Sequence, residues 1–500
     1  MLGVQPWERH DSSQFQESYN GVSLPPSSGR GAWWSIYFWI ADCRTLFTEE
    51  ASPNNRSSST RLKEEVHQME KNTKNHPFTV VIPTRERCDT LEHALHTCVI
   101  QDYDNLEILV CDNFSQDRTR DVVESFKDSR IRYINSGERL SMADNYEFAL
   151  SHVRPEGYVV YIGDDDALLP NAICDINEVI VRTGTSVLRW DIAAYTWPSY
   201  LNTEGANNLY IPLKTAEKRR RSASAINDVL SFKANYQSLP VMYMYSAVAH
   251  EVLQRIKNAS GRFYHSINPD VYSGFAIAGA VDSFIDSRRP YAIGGVSKHS
   301  IGVSAQSGRS SPEAANKFFN ENTIPFHSDL IDCKSLVQYV IEAFLQAKDH
   351  LDFLQPFTLD KKKLLHQMMK DTSRMSEDAY DGVRDAVLKI GEMHGISEAA
   401  DAAIRANPPI SARSRNPMNI SNLGKHGSRA VQLLRTMLGG GRLCVDCNHF
   451  SVKNVYDASI FTHHVLKLRE MHVTSCLAAQ KSECSRLLHA LSRRFGRNRK

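Results

Sequence analysis

The sequence predicts an α/β fold on a mostly parallel, Rossmann-like central sheet, followed by a helical C-terminal appendage. Three observations carry this. Apolar runs of strand length alternate four times with helix-patterned stretches between residues 77 and 162, the mark of βαβ units. The first of them, Phe78–Pro83, is continuously apolar rather than alternating, as in a strand buried on both faces. The pattern beyond residue 305 is helical throughout.

In order, Phe78–Pro83 (FTVVIP) is the first buried strand. A helix follows, with Asp89 and Glu92 in the spacing of a capping box and Leu91, Leu95 and Val99 toward the core. Leu106–Cys111 (LEILVC) is the second strand. The polar run Asp112–Asp117 leads into a helix with Ser115 as its cap and Val122, Val123 and Phe126 inside. Ile131–Ile134 is a third strand, Ser141 and Asp144 open a helix through Leu150, and Tyr158–Ile162 is the fourth strand. Val187–Trp190 reads as a further strand, Lys218–Arg221 (KRRR) as a solvated loop, and a helical pattern starts at Ala225. Asn268 can cap a helix with Pro269 in its first position. Later helices are expected at Leu330–Leu351, Lys361–Met369, Ala379–Ile390 and Ser397–Ala406, then a Gly- and Arg-rich linker at Arg413–Gly441 and a helix at Val455–His472. The implied division is a disordered leader at 1–76, an α/β domain at 77–305, a helical region at 306–410, and a basic linker with a C-terminal helical region at 411–500.

A chain of 500 residues with 42% hydrophobic and 23% charged residues has the composition of a soluble globular protein of more than one domain. Charge is unevenly spread. Residues 411–500 hold 16 Lys and Arg against four acidic residues, a surplus of +12, and the remainder carries −10. A basic solvated tail is the plain reading; contact with an anionic membrane surface is the sharper one. The ten cysteines form no dense framework, which favours a reducing cytoplasm. Cys444 and Cys447 read as unligated thiols rather than half a zinc site, since no second cysteine pair accompanies them. The aromatic segment Ala32–Ala41 falls short of the roughly 20 apolar residues of a membrane span. The expected location is the cytoplasm, with peripheral contact at the cytoplasmic membrane face.

In parallel α/β sheets, ligands bind at the carboxyl ends of strands. Polar residues gather there: Thr84, Arg85 and Arg87 after the first strand, Asp112 and Asn113 after the second, and Asp164, Asp165 and Asp166 after the fourth. Three adjacent carboxylates repel one another, and a cation offsets that repulsion. Hard oxygen donors suit Mg²⁺ or Mn²⁺, which can bridge to phosphate oxygens. Familiar alternatives lack their motifs. No Gly-x-Gly-x-x-Gly follows the first strand, as a dehydrogenase requires, and no Gly-Lys-Ser or Gly-Lys-Thr marks a P-loop. A sugar-nucleotide pyrophosphorylase also wants a glycine-rich loop there, and an aspartyl phosphatase wants its nucleophile on the first strand.

Four blocks resemble, in order, the inverting glycosyltransferases of family 2, which have the GT-A fold. They are Val80–Thr84; Gln101 and Tyr103 with Glu107–Asn113, Ser115 and Asp117; Asn145; and the Asp cluster with its trailing Leu168-Leu169-Pro170. A weaker fifth block is Asn268–Tyr272, and the resemblance spans roughly residues 77–305. It implies a nucleotide-sugar donor held by Pro83, Thr84, Arg85, Asp112, Asn113, Asn145, Asp164 and Asp165, with Asp112 accepting from the base, typically uracil. It implies a metal at Asp164, Asp165 and Asp166, with Asp166 common to either pairing because Gly163 stands where the family has its first Asp. It also implies Asp270 as the catalytic base, about a hundred residues after the cluster. His299 is placed where a closing loop could add a metal or phosphate ligand. The expected activity is metal-dependent transfer of a sugar, with inversion, from a UDP-sugar to a saccharide or lipid-linked acceptor, with no nucleic acid involved. Two alternatives stay open: a non-catalytic sugar-nucleotide scaffold, and a sugar nucleotidyltransferase.

Overall fold

The computed structural model describes residues 75–200, 205–299, 320–333, 335–373, 377–409 and 441–470. Residues 1–74 of the leader, which include Ala32–Ala41, residues 413–440 of the linker and most of the basic 411–500 stretch lie outside them. Among the described residues no helix is long and apolar enough to cross a membrane.

The first half is the expected alternation: β1 (Phe78–Thr84), α1 (Cys88–Val99), β2 (Leu106–Asp112), α2 (Thr119–Ser125), β3 (Ile131–Asn135), α3 (Met142–Ser151) and β4 (Tyr158–Tyr161). Every residue of β2 and β4 is buried, which is why these runs carry no polar alternation. β1 pairs in parallel with β2, from Phe78 against Leu106 to Thr84 against Asp112, and with β4 on its other side. The strand order therefore reverses at β1, and the ends of β1, β2 and β4 open on one edge.

Chain continues through β5 (Ala167–Leu168), α4 (Ala172–Thr183), β6 (Val187–Trp190), β7 (Ala193–Thr196), β8 (Asn208–Pro212), β9 (Glu217–Arg221), α5 (Ser222–Leu230), β10 (Ser246–Ala249), α6 (His250–Ser260), α7 (Pro269–Ala280), β11 (Ser283–Ser287) and β12 (Ala292–Val296). The main sheet runs β3-β2-β1-β4-β10-β6-β11-β9, with β10 antiparallel to both of its neighbours. This mixed sheet with helices packed against it is the expected α/β architecture. A second sheet, β5-β12-β7-β8, turns across the carboxyl end and brings β12 against the Asp cluster. The helices α8 (Leu336–His350), α9 (Lys361–Thr372), α10 (Glu377–Met393) and α11 (Ser397–Ala406) form the appendage. It shares the main core, with Phe344 of α8 packed 5.3 Å from Phe275 of α7 between ring centroids.

Three local expectations are corrected. Asp89 does not cap α1: the helix begins one residue earlier, and the Asp89 carboxylate faces Lys298 at 3.1 Å. The Cys88 N–H is received by Asp117, 29 positions along the chain, a non-local cap that no local pattern reveals. Ser115 does not cap α2 either; its hydroxyl accepts the Glu86 N–H at 2.8 Å. The Lys218–Arg221 stretch is strand rather than loop, paired antiparallel with β11. Its charges suit an edge strand, where they discourage pairing with another chain. The Ser141 cap stands as expected, accepting from Asp144 N–H at 3.1 Å. A strand not foreseen, β13 (Arg442–Asp446), adds to β8, and a helix over 455–470 buries Val455, Ala458 and Leu466.

Candidate active site

The carboxyl ends of β1 and β2 place Thr84 beside Asp112, both buried. The Thr84 hydroxyl lies next to the Asp164 carboxylate, and no hydrogen bond of ordinary geometry satisfies it. Asp112 already accepts three hydrogen bonds. Its Oδ1 accepts the Ser115 N–H at 3.0 Å, and its Oδ2 accepts the Tyr133 hydroxyl at 2.6 Å and the Asn135 amide at 2.9 Å. A nucleobase N–H reaching Asp112 would use the remaining lone pair of Oδ1 or displace Tyr133 or Asn135, both of which have exposed surface. Asn113 spends both ends of its amide on the Leu140 backbone, at 2.9 and 2.8 Å, so it is a loop clamp. Asn145, on α3, accepts from Cys111 Sγ at 3.5 Å, beneath the end of β2. Arg85 pairs with Glu321 at 2.6 Å, a residue beyond the 77–305 stretch that resembles the family. Pro83 lies in β1 with no side-chain polar group to offer.

The three aspartates are all buried, and they are not equivalent. Asp164 Oδ1 accepts from Arg87 at 2.8 Å, and the other Arg87 nitrogen bonds the His299 carbonyl at 2.7 Å. Burial opposes the Arg87 charge, but Asp164 and Asp165 outweigh it and raise its pKa further. Burial likewise raises the Asp164 pKa by more than Arg87 lowers it. A single guanidinium faces the three carboxyl groups, and burial with the neighbouring carboxylates raises the Asp166 pKa as well. Asp165 Oδ2 accepts the Ser297 hydroxyl at 2.7 Å. Asp166 differs: its Oδ2 accepts the Gly163 N–H at 2.7 Å and its Oδ1 the Gly295 N–H at 2.8 Å. One oxygen thus closes the turn and the other ties it to β12, so Asp166, expected as the common metal ligand, also braces the loop. The Gly163 anomaly has the same cause, since a Cβ there would run into the Tyr243 hydroxyl and sit 2.7 Å from Asp166 Oδ2. Glycine is likewise required at 295, where a Cβ would strike the Asp165 carbonyl.

His299 does not converge on the cluster. Its ring faces Asp89 at 3.4 Å, and only its backbone carbonyl reaches Arg87. Among the described residues, no three His, Cys, Asp or Glu side chains are grouped to hold a metal ion. The donor set still fits Mg²⁺ or Mn²⁺ in one respect. Such ions are commonly held by one or two carboxylates, the other positions being filled by water and substrate phosphates. Asp164 and Asp165 supply two carboxylates whose charge Arg87 only partly balances.

Asp270 is the second residue of α7, behind Pro269, as expected from sequence. It retains exposed surface, yet protein encloses it closely enough that desolvation raises its pKa, against the backbone N–H groups of its own turn. The same tyrosines feel Asp270 and the cluster: Tyr146 senses Asp270, Asp166 and Asp164, and Tyr245 senses Asp166 and Asp270. Tyr236 also senses Asp270, and Tyr243 the cluster. Two sets of carboxylates over a hundred positions apart in the chain therefore share one tyrosine-lined neighbourhood at the carboxyl edge. Sequence reasoning passed over these tyrosines. The signal available was Val241–Tyr245 (VMYMY), two aromatic hydroxyls directly before the buried strand β10.

The geometry agrees with comparisons to known proteins. Residues 79–237 match the family model Glycosyl transferase family 2. A Campylobacter jejuni GalNAc(5)-diNAcBac-PP-undecaprenol beta-1,3-glucosyltransferase is 35% identical over 99 residues, 19% of this chain and 32% of that protein. The Escherichia coli UDP-Glc:alpha-D-GlcNAc-diphosphoundecaprenol beta-1,3-glucosyltransferase WfaP is 30% identical over 88 residues, 18% of this chain and 35% of that protein. The matched stretch thus spans about a third of these curated relatives. Among solved structures, S. aureus TarS in complex with UDP-GlcNAc is similar at 12% identity and a TM-score of 0.41, covering 66% of this chain and 89% of that one.

Proposed function

We propose that this protein transfers a sugar from a UDP-sugar to a lipid-linked saccharide acceptor, with inversion at the anomeric carbon. The observation that carries the reading is the shared neighbourhood of Asp270 and the Asp164–Asp166 cluster at the carboxyl edge of the sheet. Inversion is a single displacement. The acceptor hydroxyl attacks the anomeric carbon, its proton passes to the Asp270 carboxylate, and the bond to the diphosphate oxygen breaks with its electron pair on the leaving group. A raised Asp270 pKa suits a base, because a more basic carboxylate takes the proton more readily. Arg87 and the Thr84 hydroxyl stand where a diphosphate would lie, against Asp164. A divalent cation held by Asp164 and Asp165 would supply charge to offset that developing on the leaving diphosphate. No covalent intermediate is needed, so no serine or cysteine nucleophile is assigned.

The lipid-linked acceptor is supported by the names of both curated relatives, and the uridine donor by the Asp112 position. Titration calorimetry with UDP, GDP and ADP tests the donor. UDP should bind at least tenfold more tightly than the other two, with the preference lost in Asp112→Ala. Equal affinity for all three in the wild type contradicts it. Peripheral contact of the basic 411–500 stretch with an anionic membrane belongs to the same proposal. Each basic residue near such a surface contributes about 1 kcal/mol, screened by salt. Full-length protein should sediment with phosphatidylserine vesicles at low salt and be released at high salt. Protein that stays in the supernatant at low salt removes this part of the reading.

A further inference from the structure

The helical appendage reaches the site through one buried carboxylate. Glu342, on α8, has no exposed surface. Its Oε2 accepts the Ser266 hydroxyl at 2.6 Å, and its Oε1 accepts the Gln346 amide at 2.9 Å. Gln346 is anchored in turn on the Pro325 carbonyl at 2.9 Å. Ser266, also fully buried, uses its oxygen a second time and accepts the Asn268 N–H at 3.2 Å. Asn268 is the residue immediately before α7, whose first two residues are Pro269 and Asp270.

This chain of bonds has a direction. A serine hydroxyl carries one proton and can point it several ways. With Glu342 taking the proton, the oxygen's lone pairs are turned toward the Asn268 N–H, which fixes the entry of the chain into α7. The Asn268 side chain gives no help, as it makes no cap bond and its amide nitrogen is buried without a partner. The first turn carrying Asp270 is therefore oriented from outside, by α8. Desolvating a carboxylate is costly, and here the hydrogen bonds from Ser266 and Gln346 offset that cost. A carboxylate retained here calls for a role other than filling space.

We propose that Glu342 is a positioning residue for Asp270, holding the α7 N-terminus through Ser266 and Asn268 so that the Asp270 carboxylate meets the acceptor hydroxyl. This rests on the reading of Asp270 as the base. It gives the appendage a part in the chemistry: a displacement of about 1 Å at a reacting group can cost on the order of 10²-fold in rate.

The test compares Glu342→Leu, Glu342→Gln, Ser266→Ala and Asp270→Asn in the full-length protein. Glu342→Leu should fold but melt lower than wild type, because the buried Ser266 hydroxyl loses its acceptor, keep the donor KM, and lose about tenfold or more in kcat. Glu342→Gln keeps an oxygen that can accept from Ser266 and should recover most of that loss, while Ser266→Ala should resemble Glu342→Leu. In an Asp270→Asn background, Glu342→Leu should cause no further fall. Wild-type kcat in both Glu342→Leu and Ser266→Ala, with Asp270→Asn impaired, overturns the positioning role and leaves the base assignment standing. Wild-type kcat in Asp270→Asn overturns the base assignment itself, and the positioning role with it. If Glu342→Leu fails to fold, Glu342→Gln and Ser266→Ala decide between these outcomes.

Discussion

Asp270→Asn should lower kcat by on the order of 10²-fold or more, the typical contribution of a positioned general base. Asparagine keeps the size and the contact with the helix N-terminus but cannot take a proton. Donor affinity should change little, because the proton moves only in the transition state. The pH dependence follows from the direction of the shift. Burial raises the Asp270 pKa, so the carboxyl holds its proton to higher pH than an exposed aspartate. The wild-type rate should therefore rise with pH through a value above the ordinary carboxylate range, and this limb should vanish in Asp270→Asn. Rates measured across pH on both proteins check it, and an unchanged limb in the variant assigns the titration to another group.

The second large effect separates two neighbouring carboxylates. Asp165→Ala should abolish stimulation of turnover by Mn²⁺ or Mg²⁺, and EDTA should do the same to the wild type, with little loss of stability. Asp166→Ala should chiefly destabilise the fold. It strips two backbone N–H groups of their acceptor, at about 1–3 kcal/mol for each one left buried and unsatisfied. Urea denaturation alongside metal titration distinguishes the two. Equal stability of Asp166→Ala and wild type removes the strut assignment, and metal-stimulated turnover in Asp165→Ala removes the ligand assignment.

The sequence carried the skeleton of this site because its signals are local. Three buried apolar runs and a shorter half-buried one named the strands of the parallel half, and strand ends named Thr84, Asp112 and Asp164–Asp166 as neighbours. Pro269 after Asn268 correctly opened the helix bearing Asp270. What stayed hidden is non-local. The cap on α1 comes from Asp117, and Arg85 is taken by Glu321, 236 positions away. Asp166 looked like a ligand because its acceptor capacity is visible in sequence, whereas the Gly295 N–H that occupies it is 129 positions distant. His299 looked available for the same reason, until the fold set its ring against Asp89. The strand β13 was illegible because a short exposed-and-buried alternation acquires meaning only beside β8.

The central claim is that this family 2 domain is a transferase, and one assay meets it most directly. Purified full-length protein is incubated with a UDP-sugar, Mn²⁺ and a polyprenyl-diphosphate-linked saccharide, and the released nucleotide and extended acceptor are measured together. The account predicts UDP release that the acceptor stimulates, in step with one sugar added per UDP and with the opposite anomeric configuration to the donor. Binding of UDP-sugars without UDP release across a panel of sugars and acceptors would instead make the protein a scaffold. Release of sugar 1-phosphate in place of UDP would make it a nucleotidyltransferase, and either result contradicts the account.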